Sequence, residues 1–196
     1  MNAISPPARS ADHPVDAQFL NRWSPRAFDG TPMTAADMLT MLEAARWAPS
    51  ASNLQPWRFV WALRGDAGFD AIAKALVPFN HSWAHKAAGF VVVASKTTTE
   101  HDQTSTPNAY HAFDTGAAWA QLALQAHLNG FFAHGMAGYD GPALASAIAL
   151  PADHVTHAVV AIGRQGDPAT LPEALRARET PNGRLTLAET THRGRF

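Results

Sequence analysis

Two cations and a hydroxyl stand at alternate positions in Arg22-Trp23-Ser24-Pro25-Arg26. Alternate residues of an extended segment share a face, so all three side chains can converge on one anion, and guanidinium forks suit phosphate oxygens. A second stretch, Pro49-Ser50-Ala51-Ser52-Asn53-Leu54-Gln55-Pro56-Trp57, is stiffened by two prolines and carries hydroxyls and amides able to read the polar edge of a flat heterocycle. A third, His134-Gly135-Met136-Ala137-Gly138-Tyr139-Asp140, has small residues that let backbone N–H groups approach a ligand closely. Each piece also has a plain structural reading: a solvated basic turn, a capped helix–strand loop and a strand-end turn.

Other chemistries lack their residues. The chain has no Cys, which removes disulfides, thiol nucleophiles and Cys-ligated metal centres, so redox chemistry would have to be borrowed from a cofactor. No G-x-S-x-G elbow presents a nucleophile, and no G-x-G-x-x-G turn holds a dinucleotide. His81 and His85 have the i, i+4 spacing of a helical metal pair, but no H-E-x-x-H pattern surrounds them, and no metal site is expected. His111, His127 and His134 receive no catalytic role. Lys plus Arg number 15 against 16 Asp plus Glu, and no basic residues interleave Trp47, Trp57 and Trp61, so neither nucleic acid nor an anionic membrane is an expected partner.

These residues must be positioned by one domain, 1–196, since no linker-like tract divides it. Residues 1–12 read as a loose N-terminus. Val15–Trp23 reads as a short helix, and Thr34–Ala48 as a longer one opened by a Thr34/Asp37 capping box and stopped before Pro49. Strands are expected at Trp57–Leu63, Phe90–Ser95, Phe131–Met136 and His154–Ile162, with helices near Phe69–Leu76 and Pro142–Ile148. Asn108–Asn129, rich in Ala, Leu and Gln and apolar almost all round, predicts a central helix buried by the sheet or by another subunit, closed by Gly130. Residues 166–196 read as an extended arm that packs on something else. Without a repeating βαβ rhythm, the class is α+β. The N-terminus has no apolar targeting region and the longest apolar run, Phe90–Ala94, is too short to span a bilayer, so the expected location is cytoplasmic.

Taken jointly, the three polar stretches resemble the nitroreductase family of flavoproteins. Its motifs R-x-S-x-R-x-F, P-S-A-x-N-x-Q-P-W and M-A-G-[FY]-D stand here in order as Arg22–Phe28, Pro49–Trp57 and Met136–Asp140. The resemblance continues through FDTGAAWAQLALQAHLNG (Phe113–Gly130) to Arg184 and the Arg193-Gly194-Arg195-Phe196 ending.

That resemblance implies a mixed, largely antiparallel sheet flanked by helices in an intertwined homodimer, with the C-terminal arm over the partner. It implies an FMN whose phosphate and ribityl end are held by Arg22, Ser24 and Arg26, assisted by Arg184, with Trp23 contributing mostly backbone. Pro49, Ser50, Ala51 and Asn53, with Gln55 beside them, would reach the flavin bound mainly by the partner. Asn80 would read the pyrimidine edge, and the Met136-Ala137-Gly138 backbone would lie near flavin N5, with Ala137 and Gly138 offering N–H groups and no side chain acting as catalyst. Some members carry a basic residue where Trp83 stands and an acidic one where Ala137 stands. Tyr110 and Phe113 are candidates for a lid over the acceptor. The implied activity passes hydride from NAD(P)H to a nitroaromatic, a quinone or a similar electron-poor acceptor by a ping-pong route. Two alternatives stand beside it: a flavin-binding protein that sequesters flavin or cleaves it with oxygen, and a cofactor-free dimeric interaction module.

Overall fold

The structure is a computed structural model that describes residues 9–102 and 104–196. Of the expected loose N-terminus, residues 1–8 lie outside the described residues.

The sheet is organised around its most apolar strand. The run Phe90-Val91-Val92-Val93-Ala94 has no polar face, so it can only sit between two covered layers. It lies in β2 (Gly89–Lys96), buried along nearly its whole length. β1 (Trp57–Leu63) and β6 (His154–Gly163) flank it, and β5 (Phe132–Met136) pairs with β6, giving the order β1-β2-β6-β5. All three ladders are antiparallel, so the parallel component of a mixed sheet is not found within one protomer.

Period-2 alternation sends Phe90 and Val92 to one face and Val91 and Val93 to the other. The first face packs with Phe69, Ile72, Trp83 and Leu144, from α3 (Ala67–Ala75), α4 (Pro78–Ala84) and α6 (Gly141–Ala147). The second packs with Met38, Met41, Leu122 and Ala126, from α2 (Ala35–Arg46) and α5 (His111–Leu128). α2 begins at the expected capping box: Thr34 accepts from the Asp37 N–H, and the Asp37 carboxylate accepts from the Thr34 N–H at 3.0 Å. α5 starts later than its composition suggests, because Asn108 is spent on a turn, accepting the Tyr110 N–H at 3.0 Å. It closes at Gly130, whose φ of +78° belongs to Gly30; Gly130 itself stands at +74°, the left-handed conformation that a helix C-terminus demands.

Four expectations change. The first helix, α1, is shorter, Ala17–Asn21, because Arg22 is already extended. α4 has no counterpart in the sequence reading; a proline at its first turn opens it. The lid segment 104–113 is no single loop: β4 (Thr104–Pro107) pairs antiparallel with β3 (Thr98–His101), a turn follows, and 111–113 open α5. The arm 166–196 divides in two. Its first part packs on its own protomer through Leu171, Leu175 (in α7, Glu173–Arg176) and Glu179, while 182–196, which includes α8 (Leu187–Thr190), is exposed. No helix among the described residues is long and apolar enough to cross a membrane.

Candidate cofactor site

Past Arg22 the chain is extended, and the expected convergence takes place. A cavity of about 170 Å³ is lined by Arg22, Trp23, Ser24 and Arg26 from this segment, and by Arg178, Thr180, Asn182 and Arg184 from the C-terminal segment. Arg9 and His134 complete the wall. Five guanidinium groups thus face one small space, and no carboxylate lines it among the described residues. Burial and then the Arg184 charge lower the pKa values of both Arg22 and Arg9 below the ordinary arginine value. Such a cluster is short of an anion.

Beneath the cavity sits Glu179, 6 % exposed. Its Oε1 accepts the Arg26 N–H at 2.6 Å and the Ala27 N–H at 2.8 Å, and its other oxygen lies 4.0 Å from the Arg26 guanidinium. This carboxylate fixes the backbone on which the basic side chains stand. For Arg26, burial lowers the pKa, and Glu179 partly offsets that fall. His134 braces the other side. Its Nδ1 lies 3.0 Å from the Pro25 carbonyl, which can only accept, so Nδ1 carries the proton. Burial pushes His134 down to about 4, with Arg26 and Arg22 adding to the fall against the bonds to the Pro25 and Ser24 backbone. Trp83, 1 % exposed, is the floor: the His134 ring lies 4.8 Å from it and the Arg26 guanidinium 6.0 Å. The family position that can be basic is here an apolar support.

The basic cavity shares Arg22 and Ser24 with a wider chamber of about 460 Å³ beside Phe19, Trp119, Ala120, Ala123, Leu124 and Gly135. Gly135 and Ala137 are two residues apart at the end of β5, both exposed, so one face of that edge is floored by small residues over about 7 Å. A side chain at Gly135 would press on the Trp119 ring, 3.3 Å from an added Cβ. Met136 points the other way and is buried, leaving only its backbone toward this face. Asn80, on α4, donates its amide to the Gly138 carbonyl at 2.9 Å, and a Cβ on Gly138 would collide with that amide at 2.6 Å. The structure therefore joins Asn80 to the Ala137-Gly138 edge, as the resemblance implied.

Pro49, Ser50, Ala51, Asn53 and Gln55 line none of these spaces. They form an exposed turn in which Ser52, Asn53 and Gln55 all have positive φ, near 50°. The Gln55 N–H donates to Ser50 Oγ at 3.0 Å, and the Ala51 N–H donates to the buried Asp114 carboxylate at 3.1 Å. Asp114, in the first turn of α5, was not singled out by the sequence reading; its signal was an acidic residue inside an otherwise apolar helix. Nine residues along α5 lies Ala123, so turn and basic cavity are about 14 Å apart along the helix axis. Tyr110 and Phe113 are 60 % and 79 % exposed. Arg9, Arg178 and Glu179 were also missed, because their sequence neighbours carry no motif. Among the described residues no cluster of metal-ligating side chains is present.

Comparison with known proteins agrees with this geometry. Residues 20–79 match the model of the nitroreductase family. An uncharacterised 15.4 kDa protein of Mycolicibacterium smegmatis is 36 % identical over 147 residues, 71 % of this chain and 97 % of that one. A crystal structure of an oxidoreductase containing FMN is 45 % identical, covers 96 % of each chain and superposes with a TM-score of 0.94. An FMN complex from Desulfovibrio desulfuricans, described as a nitroreductase, shares the fold at 24 % identity, with a TM-score of 0.72 over 95 % of this chain and 99 % of that one. The chain belongs to the nitroreductase family.

Proposed function

We propose that the chain, as a homodimer, holds FMN with its phosphate in the arginine-lined cavity and reduces a small electron-poor acceptor at the expense of NAD(P)H. The observation that carries this reading is the set of five converging guanidinium groups without a lining carboxylate, with the Nε atoms of Arg9 and Arg26 buried and unpartnered. A phosphate monoester supplies about two negative charges and several acceptor oxygens, which fits such a wall.

Bound FMN would supply the hydride chemistry. The protein's part is binding and orientation. Arg22, Ser24, Arg26 and Arg184 hold the phosphate end; the Gly135–Ala137 edge gives the ring a flat floor; the Ala137 and Gly138 backbone and the Asn80 amide meet its polar side. No side chain at that edge has to move a proton. The acceptor class is a nitroaromatic, a quinone or another conjugated electrophile, with Tyr110 and Phe113 available to stack on it. One site serving both substrates in turn gives ping-pong kinetics.

The dimer follows from two features. Phe113, Gly116, Ala120, Leu124 and Leu128 recur at helical spacing on the face of α5 turned from the sheet, and four of the five are exposed. The turn at 49–55 and the basic cavity lie at different levels of that same helix. Two α5 helices packed antiparallel about a two-fold axis would bring the turn of one protomer beside the cavity of its partner.

The test is an absorption spectrum of the purified protein, repeated after addition of NADH or NADPH without oxygen and again after addition of a nitroaromatic or quinone. A flavin band that bleaches and then returns is the expected result. Protein that stays colourless after incubation with FMN would overturn the proposal.

A further inference from the structure

We propose that the basic cavity is the middle of a longer groove whose far chamber seats the adenosine half of a flavin dinucleotide, so that the chain takes FAD as well as FMN. The inference rests on the flavin reading above. A chamber of about 360 Å³ adjoins the basic cavity and shares Arg9, Asn182 and Arg184 with it. The residues shared with the Trp119 chamber are different ones, Arg22 and Ser24, so the arginine-lined cavity connects two larger spaces through separate walls.

Charge favours a second phosphate. Of the five guanidinium groups, Glu179 offsets Arg26, and one phosphate monoester offsets about two more. The remaining surplus falls where the far chamber begins, since Arg9 and Arg184 belong to both spaces. Arg9 is anchored there: its Nη1 donates to the Leu20 and Arg22 carbonyls at 3.0 and 2.8 Å, while its buried Nε has no partner. A diphosphate spanning Arg22 to Arg9 and Arg184 meets all of these donors.

Beyond that point the lining changes from cationic to amphipathic. Phe19, Leu20 and Leu185 offer apolar surface suited to a purine, and Asp12 and Thr186 offer oxygens that accept from ribose hydroxyls. The volume is within the range of small-molecule pockets, about 300–1,000 Å³, whereas the basic cavity is too small for more than phosphate groups.

The test is a fluorescence titration of flavin-free full-length protein with FMN and with FAD, the bound flavin being extracted and chromatographed to confirm that FAD stays intact. Ser10→Trp and Leu185→Trp, on exposed residues of the far chamber, fill it without touching the basic cavity. The expected result is a Kd for FAD within about tenfold of that for FMN in the unmodified protein. Either tryptophan then weakens FAD at least tenfold and leaves FMN unchanged. FMN binding without FAD binding would overturn the inference and leave the FMN reading standing, as would FAD binding indifferent to both tryptophans. Failure of both flavins would remove the FMN reading and this inference together.

Discussion

At Arg22–Arg26 the backbone rests on a buried carboxylate, an aromatic floor and a neutral histidine, and the cavity above is closed by residues of the same chain. At Ser50–Gln55 three non-glycine residues hold left-handed conformations, each costing about 1–2 kcal/mol, and the turn is exposed and tied to α5 through a single bond to Asp114. The first region is complete in one protomer. The second spends conformational energy to present groups that meet nothing in its own chain, which is how a site shared between two chains is built.

Gly116→Glu gives the largest expected effect on this contrast. Nothing lies within 4 Å of a Cβ added at Gly116, and replacing helical glycine favours the helix, so the protomer folds at least as well as before. Two buried carboxylates facing across the α5 seam would nevertheless split the dimer. Sedimentation should show a folded monomer that has lost its flavin; a flavin-loaded monomer would mean that the 49–55 turn plays no part across the interface.

Glu179→Ala attacks the self-contained half. It leaves two buried N–H groups without an acceptor, at about 1–3 kcal/mol each, so urea unfolding should show a loss of about 4 kcal/mol. Glu179→Gln keeps a carbonyl acceptor and should restore most of it. Unchanged stability in the alanine variant would show that the carboxylate does not support the cavity.

His134 gives the same half a pH signature. Its folded pKa of about 4 lies below the unfolded value near 6.5, so the unfolded chain takes up the proton first. Stability is whole above about pH 6.5, falls as pH drops through the window, and is lower by on the order of 3 kcal/mol below about pH 4. His134→Gln should flatten that part of the curve; an unaltered slope would assign it to other groups.

Asp114→Ala has the smallest expected effect, about 1–2 kcal/mol for one charge-assisted bond. It should weaken flavin binding several-fold and speed amide exchange across 50–55 with little change at 22–26. Equal changes in both regions would dissolve the distinction between them.

What could be read from the sequence follows the same division. Local signals were visible: the Thr34/Asp37 cap, the two-faced apolar run of β2 and the alternation that gathers Arg22, Ser24 and Arg26. Arg9, Arg178 and Glu179 were not, because their roles come from tertiary proximity across more than 150 residues between Glu179 and the backbone it holds. The β3–β4 hairpin escaped because Thr-rich strands exposed on both faces carry no hydrophobic alternation. The outward stripe of α5 was visible as apolarity, but only its exposure in a single protomer separates an interface from a core.

The bond from Glu179 to the Arg26 and Ala27 N–H groups also sets an order of events during synthesis. The Arg22–Arg26 segment leaves the ribosome about 150 residues before the carboxylate that shapes it, so a nascent chain carries the basic residues without the frame that aims them. Cofactor capture is therefore a step that translation must finish first, and a chain ended before Glu179 would be released without a working anion cradle.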